Sequence, residues 1–182
     1  MCIRDRVYPG ECVGVLGPNG CGKTTLFSMC IGEQNPEGGK IYLNGRSIEQ
    51  IPIHLRSKEG LGYLPQQRSV FDMSVYDNIL GIAQISVKGS ENQKSVTEKL
   101  LDEFNLQHLR ALNASVLSGG EIKRLMINKP KIVLLDEPLA ALDPQIIQDI
   151  QKYILKIQSS GTAVLITAVS YTHLTLPTKR IV

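Results

Sequence analysis

The sequence of 182 residues predicts an α/β fold, in which a core with a parallel sheet is interrupted by a helical subdomain. An apolar strand at residues 11–16 runs into a glycine-rich turn, and a second apolar run at residues 131–136 ends in Asp136 and is followed by Glu137. Between them, residues 74–117 have a helical character, with apolar side chains recurring at helical spacing. This order of strands, helical block and strand–helix–strand return favours a core built in two parts.

The predicted strands are short and bounded by turn residues. Residues 40–45 read as a strand that ends in an Asn-Gly turn, and residues 61–64 read as a strand closed by Pro65. Residues 131–136 form a continuous apolar run, which is typical of a strand buried on both faces of a sheet. Residues 164–167 predict the last strand of the core.

Two helices are marked by their terminal residues. Ser74 with Asp77 resembles a capping box, which predicts a helix start. A later helix has Asp143 as its N-cap, Pro144 in its first turn and Gly161 just past its end.

Composition limits the classes of function and the compartment. The net charge of +3 comes from the two ends, because residues 7–168 contain equal numbers of acidic and basic residues, and this gives no case for nucleic-acid binding. No apolar run approaches the roughly 18 residues of a membrane span, and we expect no secretory leader. The four cysteines show neither a CxxC pair nor a zinc-like spacing with histidine, which indicates free thiols in the cytoplasm.

The glycine-rich turn fits the phosphate-binding pattern G-x-x-x-x-G-K-[ST], and it lies between a strand and a helix as that pattern requires. Glycines let successive backbone N–H groups point at phosphate oxygens, and the following helix adds its positive N-terminal end. Lys23 is expected to reach the β- and γ-phosphates of ATP, and the Thr24 hydroxyl to hold Mg²⁺. The predicted nucleotide-binding residues are Gly17, Pro18, Asn19, Gly20, Cys21, Gly22, Lys23, Thr24 and Thr25.

The two acids after the buried strand have distinct expected roles. Asp136 is expected to hold Mg²⁺, directly or through water, and Glu137 to orient or activate the attacking water. An isolated Asp-Glu pair would favour a solvated acidic turn. The phosphate loop upstream makes a catalytic pair the better interpretation.

A third motif, LSGGE at residues 117–121, opens a helix between the other two, and with it the chain resembles the ATP-binding cassette (ABC) ATPases from about Val7 to Thr167. The resemblance implies a P-loop NTPase core interrupted by a helical signature subdomain. It also implies a head-to-tail homodimer with ATP sandwiched at the interface. The signature residues facing the partner's ATP would be Ser118, Gly119, Gly120 and Glu121.

The resemblance implies further roles. Gln66 matches the glutamine that contacts Mg²⁺ and takes part in catalysis. Asp143 matches the loop that touches the opposite subunit, while its N-cap role remains an equal alternative. The chain would be an ATPase that energises a transporter from the inner face of the cytoplasmic membrane. Permease subunits are expected to dock near Gln66 and residues 68–83.

Within the family, the stretches GYLPQ, SVF and SVYDNIL are most similar to ATPase subunits of lipopolysaccharide exporters. The ATPases of branched-chain amino acid importers are the alternative. A second alternative is a nucleotide-binding module that does not hydrolyse ATP, because Val169 stands where the family has its switch histidine. Valine can neither donate a hydrogen bond nor carry charge.

Other departures from the family pattern predict an impaired fragment that binds ATP–Mg²⁺ weakly and hydrolyses it poorly or not at all. The signature helix lacks more than one turn between Ile127 and Pro130, and the earlier aromatic that stacks on adenine is missing. His173 lies in a segment unlike the family and does not replace the switch histidine. The expected organisation is a non-native leader at residues 1–6, core at residues 7–66, helical subdomain at residues 67–127, core at residues 128–167 and a non-native tail at residues 168–182.

Overall fold

The computed structural model describes residues 6–66, 71–103, 106–114, 130–140, 142, 144–169 and 180–181. These residues belong to two compact units. The core unit contains the described residues up to 66 and from 130 onward. The helical unit contains those from 71 to 114.

The core unit is organised around a parallel sheet of five strands, in the order β4-β5-β6-β1-β7. All four pairings in this sheet are parallel, so the five carboxyl ends lie at one edge of the sheet. A separate antiparallel hairpin joins β2 to β3. The strands are β1 Cys12–Leu16, β2 Tyr42–Leu43, β3 Arg46–Ser47, β4 Leu61–Leu64, β5 Ile132–Leu135, β6 Ala163–Ala168 and β7 Arg180–Ile181.

Three helices of the core unit and two of the helical unit are described. In the core unit these are α1 Lys23–Ile31, α2 Ile53–Arg56 and α5 Pro144–Ser159. In the helical unit they are α3 Val75–Ser86 and α4 Ser90–Glu103, followed by a 3₁₀ helix at Gln107–Leu109. No helix within the described ranges is long and apolar enough to cross a bilayer.

Apolar side chains fix α1 against the sheet. Phe27, on α1, is fully buried and meets the Tyr63 ring of β4 edge-on, with ring centroids 6.3 Å apart. Ile31, Ile48, Leu61 and Leu134 complete the same buried cluster. Edge-to-face aromatic pairs contribute about 0.5–1.5 kcal/mol beyond their buried area. The helix that carries Lys23 is therefore held firmly on the sheet.

Arg56 ties the C-terminal end of α1 to the segment after the hairpin. Its side chain is buried, and its guanidinium donates to the carbonyl oxygens of Met29 and Cys30 in α1 and of Glu49 and Ile51, at 2.7–3.0 Å. A cation at a helix C-terminus is favoured by the helix dipole and by the unpaired last carbonyls. Arg56 thus anchors the end of α1 opposite to the phosphate loop.

The helix boundaries agree with the capping residues. Ser74 is the N-cap of α3 and its hydroxyl accepts a hydrogen bond from the Asp77 amide at 3.0 Å. Gly161, with a φ of 90°, follows the end of α5. In the hairpin, Asn44 and Gly45 both have positive φ, as the predicted Asn-Gly turn requires.

The last strands extend beyond the predicted core. β6 continues one residue past Thr167, to Ala168, and β7 pairs in parallel with β1 through Val13 and Gly14. Both features fall in the segment from residue 168 onward. The non-native origin of that segment stays a prediction.

Candidate nucleotide-binding site

The candidate site lies at the carboxyl edge of the parallel sheet, where an open α/β sheet binds its ligand. β1 leads into the phosphate loop, β4 ends two residues before Gln66, and β5 ends immediately before Asp136 and Glu137. Thr167 lies at the end of β6, between β5 and β1. Chain segments far apart in sequence therefore bring their polar residues to one place.

The phosphate loop has the backbone geometry that its glycines allow. Gly20 and Gly22 have φ values of 81° and 99°, which residues other than glycine rarely adopt. Gly22 is the N-cap of α1, and no acidic residue occupies the first turn of that helix. The first N–H groups of a helix have no partner within it, so this end favours an anion. Thr24 and Thr25 are exposed in this first turn.

Lys23 is buried at the centre of the site, with 6% of its surface exposed. Its ammonium donates hydrogen bonds to the carbonyl oxygens of Gly17 and Pro18, at 2.8 and 3.1 Å. Its Nζ also lies 3.3 Å from Oε1 of Glu137. All three partners are oxygen acceptors, and phosphate oxygens are acceptors of the same kind with more negative charge.

Glu137 is held in an unusual backbone conformation. Its φ of 46° lies in the left-handed region, which costs energy for a residue other than glycine and recurs at functional sites. Its other carboxylate oxygen, Oε2, accepts a hydrogen bond from the side-chain amide of Gln66 at 3.1 Å. The carboxylate is thus fixed between Lys23 and Gln66.

Asp136 is completely buried. Its Oδ1 accepts a hydrogen bond from the Thr167 hydroxyl at 2.6 Å. Its Oδ2 has no hydrogen-bond partner. Among the described residues, it is the one buried side-chain oxygen or nitrogen that lacks a partner. A buried carboxylate oxygen without a partner needs a cation or a proton donor.

The residues at this edge fit Mg²⁺. Mg²⁺ commonly takes one or two carboxylates from the protein and completes its shell with water and substrate phosphates. Asp136 Oδ2 supplies one such ligand atom beside the phosphate loop. No cluster of three or more Asp, Glu, His or Cys side chains suited to a metal occurs in the described ranges, so a metal cage made by protein alone is not indicated there.

The charge of Asp136 also affects Tyr63 on the adjacent strand. Burial, and then the negative charges of Asp136 and Glu33, raise the pKa of the Tyr63 hydroxyl to about 12. Tyr63 therefore remains a neutral phenol at physiological pH. It packs beneath the site and contributes no base to it.

Thr167 was expected only as part of a buried strand, and the structure gives it two polar contacts at the site. Its hydroxyl donates to Asp136 Oδ1, and its oxygen accepts from the Glu137 amide at 2.8 Å. The available signal was a polar residue at the carboxyl end of an apolar strand, opposite two acids. Hydrophobic periodicity alone does not detect it.

Several predicted site residues lie outside the described residues. These are the signature residues Ser118, Gly119, Gly120 and Glu121, together with Asp143. His173, which was not expected to replace the switch histidine, also lies outside the described residues. Val169, where the switch histidine was expected, directly follows β6 and is 46% exposed. A hydrocarbon side chain therefore occupies the end of the strand beside β1 and β5.

Comparisons with known proteins agree on one family. The family model described as ABC transporter matches residues 3–140. The chain is 42% identical over 168 residues to the lipopolysaccharide export system ATP-binding protein LptB of Escherichia coli K12, covering 88% of this chain and 70% of that protein. It is 43% identical over 176 residues to LptB of Acidithiobacillus ferridurans, covering 92% and 73%. The solved ADP conformation of MJ1267, an ATP-binding cassette of an ABC transporter, is 27% identical with a TM-score of 0.76, over 90% of this chain and 72% of that one.

Proposed function

The chain belongs to the ABC transporter family of ATP-binding cassettes, and we propose that it binds and hydrolyses ATP to energise lipopolysaccharide export. The observation that carries the proposal is the contact of Lys23 in the phosphate loop with Glu137, next to the buried carboxylate of Asp136. Lys23 and the two acids meet at one sheet edge, although more than a hundred residues separate the lysine from the acids in sequence.

ATP binding exchanges the partners of Lys23. The ammonium is satisfied by two carbonyls and a carboxylate. Phosphate oxygens are also acceptors and carry greater negative charge, so they compete for the same three donors of the lysine. The amides at the start of α1 would hold the phosphates from the other side.

Glu137 would then be the general base. Once Lys23 turns to the phosphates, Oε1 of Glu137 is free to accept a proton from the attacking water. The side-chain amide of Gln66 donates a hydrogen bond to the other carboxylate oxygen, which keeps Glu137 in a single orientation. Mg²⁺, when bound, neutralises charge on the phosphates, with Asp136, Gln66 and Thr24 as its proposed protein ligands.

The transported substrate is inferred from relatives. Proteins named for lipopolysaccharide export match most of this chain at 42–43% identity. We therefore assign lipopolysaccharide export rather than branched-chain amino acid import. The site of action would be the cytoplasmic face of the membrane, as a homodimer with ATP at the subunit interface and the signature residues of each subunit facing the partner's ATP.

Permease subunits are proposed to dock on the helical unit. Phe71 and Met73, just before α3, expose 64% and 41% of their surfaces. Leu112 is 49% exposed, and its carbonyl accepts a hydrogen bond from Val75 at the start of the same helix. Exposed apolar side chains grouped in this way are typical of a protein interface.

The docking proposal is tested by co-purification with co-expressed permease subunits. Phe71→Asp and Met73→Asp should abolish it, while Ile85→Asp, at the far end of α3 and 83% exposed, should leave it unchanged. Equal losses in all three variants would count against this surface.

A nucleotide-binding module without hydrolysis is the second candidate, and the exposed Val169 favours it. ATP turnover by the purified chain, compared with turnover by Glu137→Gln, separates the two. Turnover that Glu137→Gln abolishes supports hydrolysis at this site. Saturable ATP binding without turnover in either protein supports the binding module. Val169→His alone is expected to leave turnover well below that of a complete cassette, because the shortened signature segment remains.

A further inference from the structure

We propose that Thr167 is the positioning residue for both acids of the site, setting the metal-binding oxygen of Asp136 and the backbone turn that aims Glu137. The inference rests on the proposed nucleotide function for its catalytic meaning. Its geometric basis is independent of that function.

The hydroxyl of Thr167 makes one bond to each acidic residue. It has a single hydrogen, and the acceptors near it are Asp136 Oδ1 at 2.6 Å and the Leu135 carbonyl at 3.5 Å. The short bond to the charged carboxylate takes the hydrogen, because charge-assisted hydrogen bonds are shorter and stronger than neutral ones. The hydroxyl oxygen remains free to accept from the Glu137 amide at 2.8 Å.

The first bond decides which oxygen of Asp136 is available. Oδ1 is satisfied by Thr167, and Oδ2 is left as a buried oxygen without a partner. A carboxylate that could rotate would share both oxygens between the two roles. With Thr167 in place, Oδ2 is presented as the ligand atom. Groups that hold a metal ligand in this way commonly change metal affinity 10–100-fold when they are removed.

The second bond supports the strained turn at Glu137. The φ of 46° is unfavourable for glutamate and persists only when the surroundings hold it. The amide of Glu137 donates to Thr167, and its side chain then reaches Lys23 and Gln66. Removing the hydroxyl would leave this amide without that acceptor and would free the turn.

The sheet explains why a residue on β6 can do this. β5 and β6 pair in parallel register, with Leu135 opposite Ile166, so the next pair along is Asp136 and Thr167. Thr167 is itself completely buried. The hydroxyl is therefore fixed on a central strand, and its position depends on the register of the sheet.

The chain contains a matched control at the opposite end of the same two strands. Thr162, just before β6, is 8% exposed, and its hydroxyl donates to the Pro130 carbonyl, two residues before β5, at 2.9 Å. Thr162→Val removes a buried hydroxyl of the same kind far from the acids. Thr167→Val should differ from it in its effect on the two acids of the site.

The first test titrates Mg²⁺ into the full chain with ATP and follows ATP binding by calorimetry. Thr167→Val should raise, about 10–100-fold, the Mg²⁺ concentration that gives half of the maximal change in ATP binding. It should leave ATP affinity in EDTA unchanged, because the Thr167 hydroxyl bonds to the acids rather than to the phosphate loop. Thr167→Ser should restore the Mg²⁺ response, and Thr162→Val should leave it unchanged. An unchanged Mg²⁺ response in Thr167→Val, with ATP still bound, would overturn the inference while the proposed function stands.

The second test needs no nucleotide. A double-mutant cycle of Thr167→Val with Asp136→Ala, which removes the acceptor oxygen, is measured by urea unfolding, with Thr162→Val and Asp136→Ala as the control cycle. Thr167 and Asp136 should show a coupling of at least about threefold in the unfolding equilibrium constant, as residues in contact do. The control cycle should show additivity. Additivity in both cycles would overturn the positioning role, even if the wild-type chain bound no ATP and the proposed function failed.

Discussion

Replacing Glu137 by glutamine is expected to destabilise the chain and at the same time to strengthen its response to ATP. Lys23 and Glu137 have side chains that are 5% and 11% exposed, with 3.3 Å between Nζ and Oε1. Removing one member of a buried ion pair leaves the other charge uncompensated, at a cost of about 3–5 kcal/mol. Glutamine keeps an oxygen that the lysine can donate to, so we expect about 2 kcal/mol.

That cost gives a measurable shift of the melting temperature. For a chain of 182 residues, about 2 kcal/mol corresponds to a melting temperature roughly 4–8 °C lower. Saturating ATP should recover much of this loss, because its phosphates supply the negative charge that the variant lacks. A tenfold gain in affinity would add about 1.4 kcal/mol of ligand stabilisation. The shift caused by ATP–Mg²⁺ should therefore be about 3–6 °C larger in Glu137→Gln than in the wild-type chain.

The matched control is a second ion pair of the core unit. Glu59 lies 2.7 Å from Arg46, closer than the Lys23 pair, but the two side chains are 37% and 66% exposed. Exposed pairs contribute about 0–1 kcal/mol, so Glu59→Gln should shift the melting temperature little and leave the ATP response unchanged. Thermal unfolding by fluorescence, with and without ATP–Mg²⁺, measures both. If Glu59→Gln cost as much as Glu137→Gln, or if ATP stabilised both variants equally, the reasoning from burial and from the lysine contact would be wrong.

Three further predictions follow from the contacts. Arg56→Met leaves four carbonyls without their buried donor and should lower the free energy of unfolding in urea by at least about 3 kcal/mol. The control Arg46→Met, at an exposed ion pair, should lower it by less than about 1 kcal/mol. Cys21 is exposed in the phosphate loop and Cys12 is buried, so in a Cys2→Ser background iodoacetamide should modify Cys21 first, and ATP–Mg²⁺ should protect it; equal rates with and without ATP would contradict the site. Burial raises the pKa of the Cys12 thiol to about 11, so the unfolded chain loses this proton first and stability should fall as pH rises through 9 to 11, by about 3 kcal/mol in all. Cys12→Ala should lack that part of the alkaline slope.

The sequence predicted the parts of the site that depend on local chemistry. Residue type and spacing placed the glycine-rich turn before Lys23 and the two acids after Leu135 at the ends of strands, as the structure has them. Ser74 located the start of α3, and Pro144 and Gly161 located α5. A parallel sheet brings the ends of its strands together, so the meeting of loop and acids could also be predicted.

What could not be predicted depends on register and burial across the fold. Thr167 reaches Asp136 only because β5 and β6 pair with Leu135 opposite Ile166, and a single strand sequence does not contain that register. Arg56 is charged, and charged residues are mostly exposed; its burial follows from carbonyls that converge at the end of α1. The left-handed backbone conformation of Glu137 could likewise not be predicted, because glutamate disfavours that conformation.

The most direct test of the central claim is the affinity of ATP–Mg²⁺ for three proteins, measured by calorimetry. These are the wild-type chain, Lys23→Met and Lys131→Met. Lys131 lies immediately before β5, at the opposite edge of the same sheet, and is exposed. We predict that the wild-type chain and Lys131→Met bind ATP equally and that Lys23→Met binds at least about tenfold more weakly, because a charge-assisted contact contributes about 1.5–3 kcal/mol. Equal affinity in all three proteins, or no binding by the wild-type chain, would contradict the account.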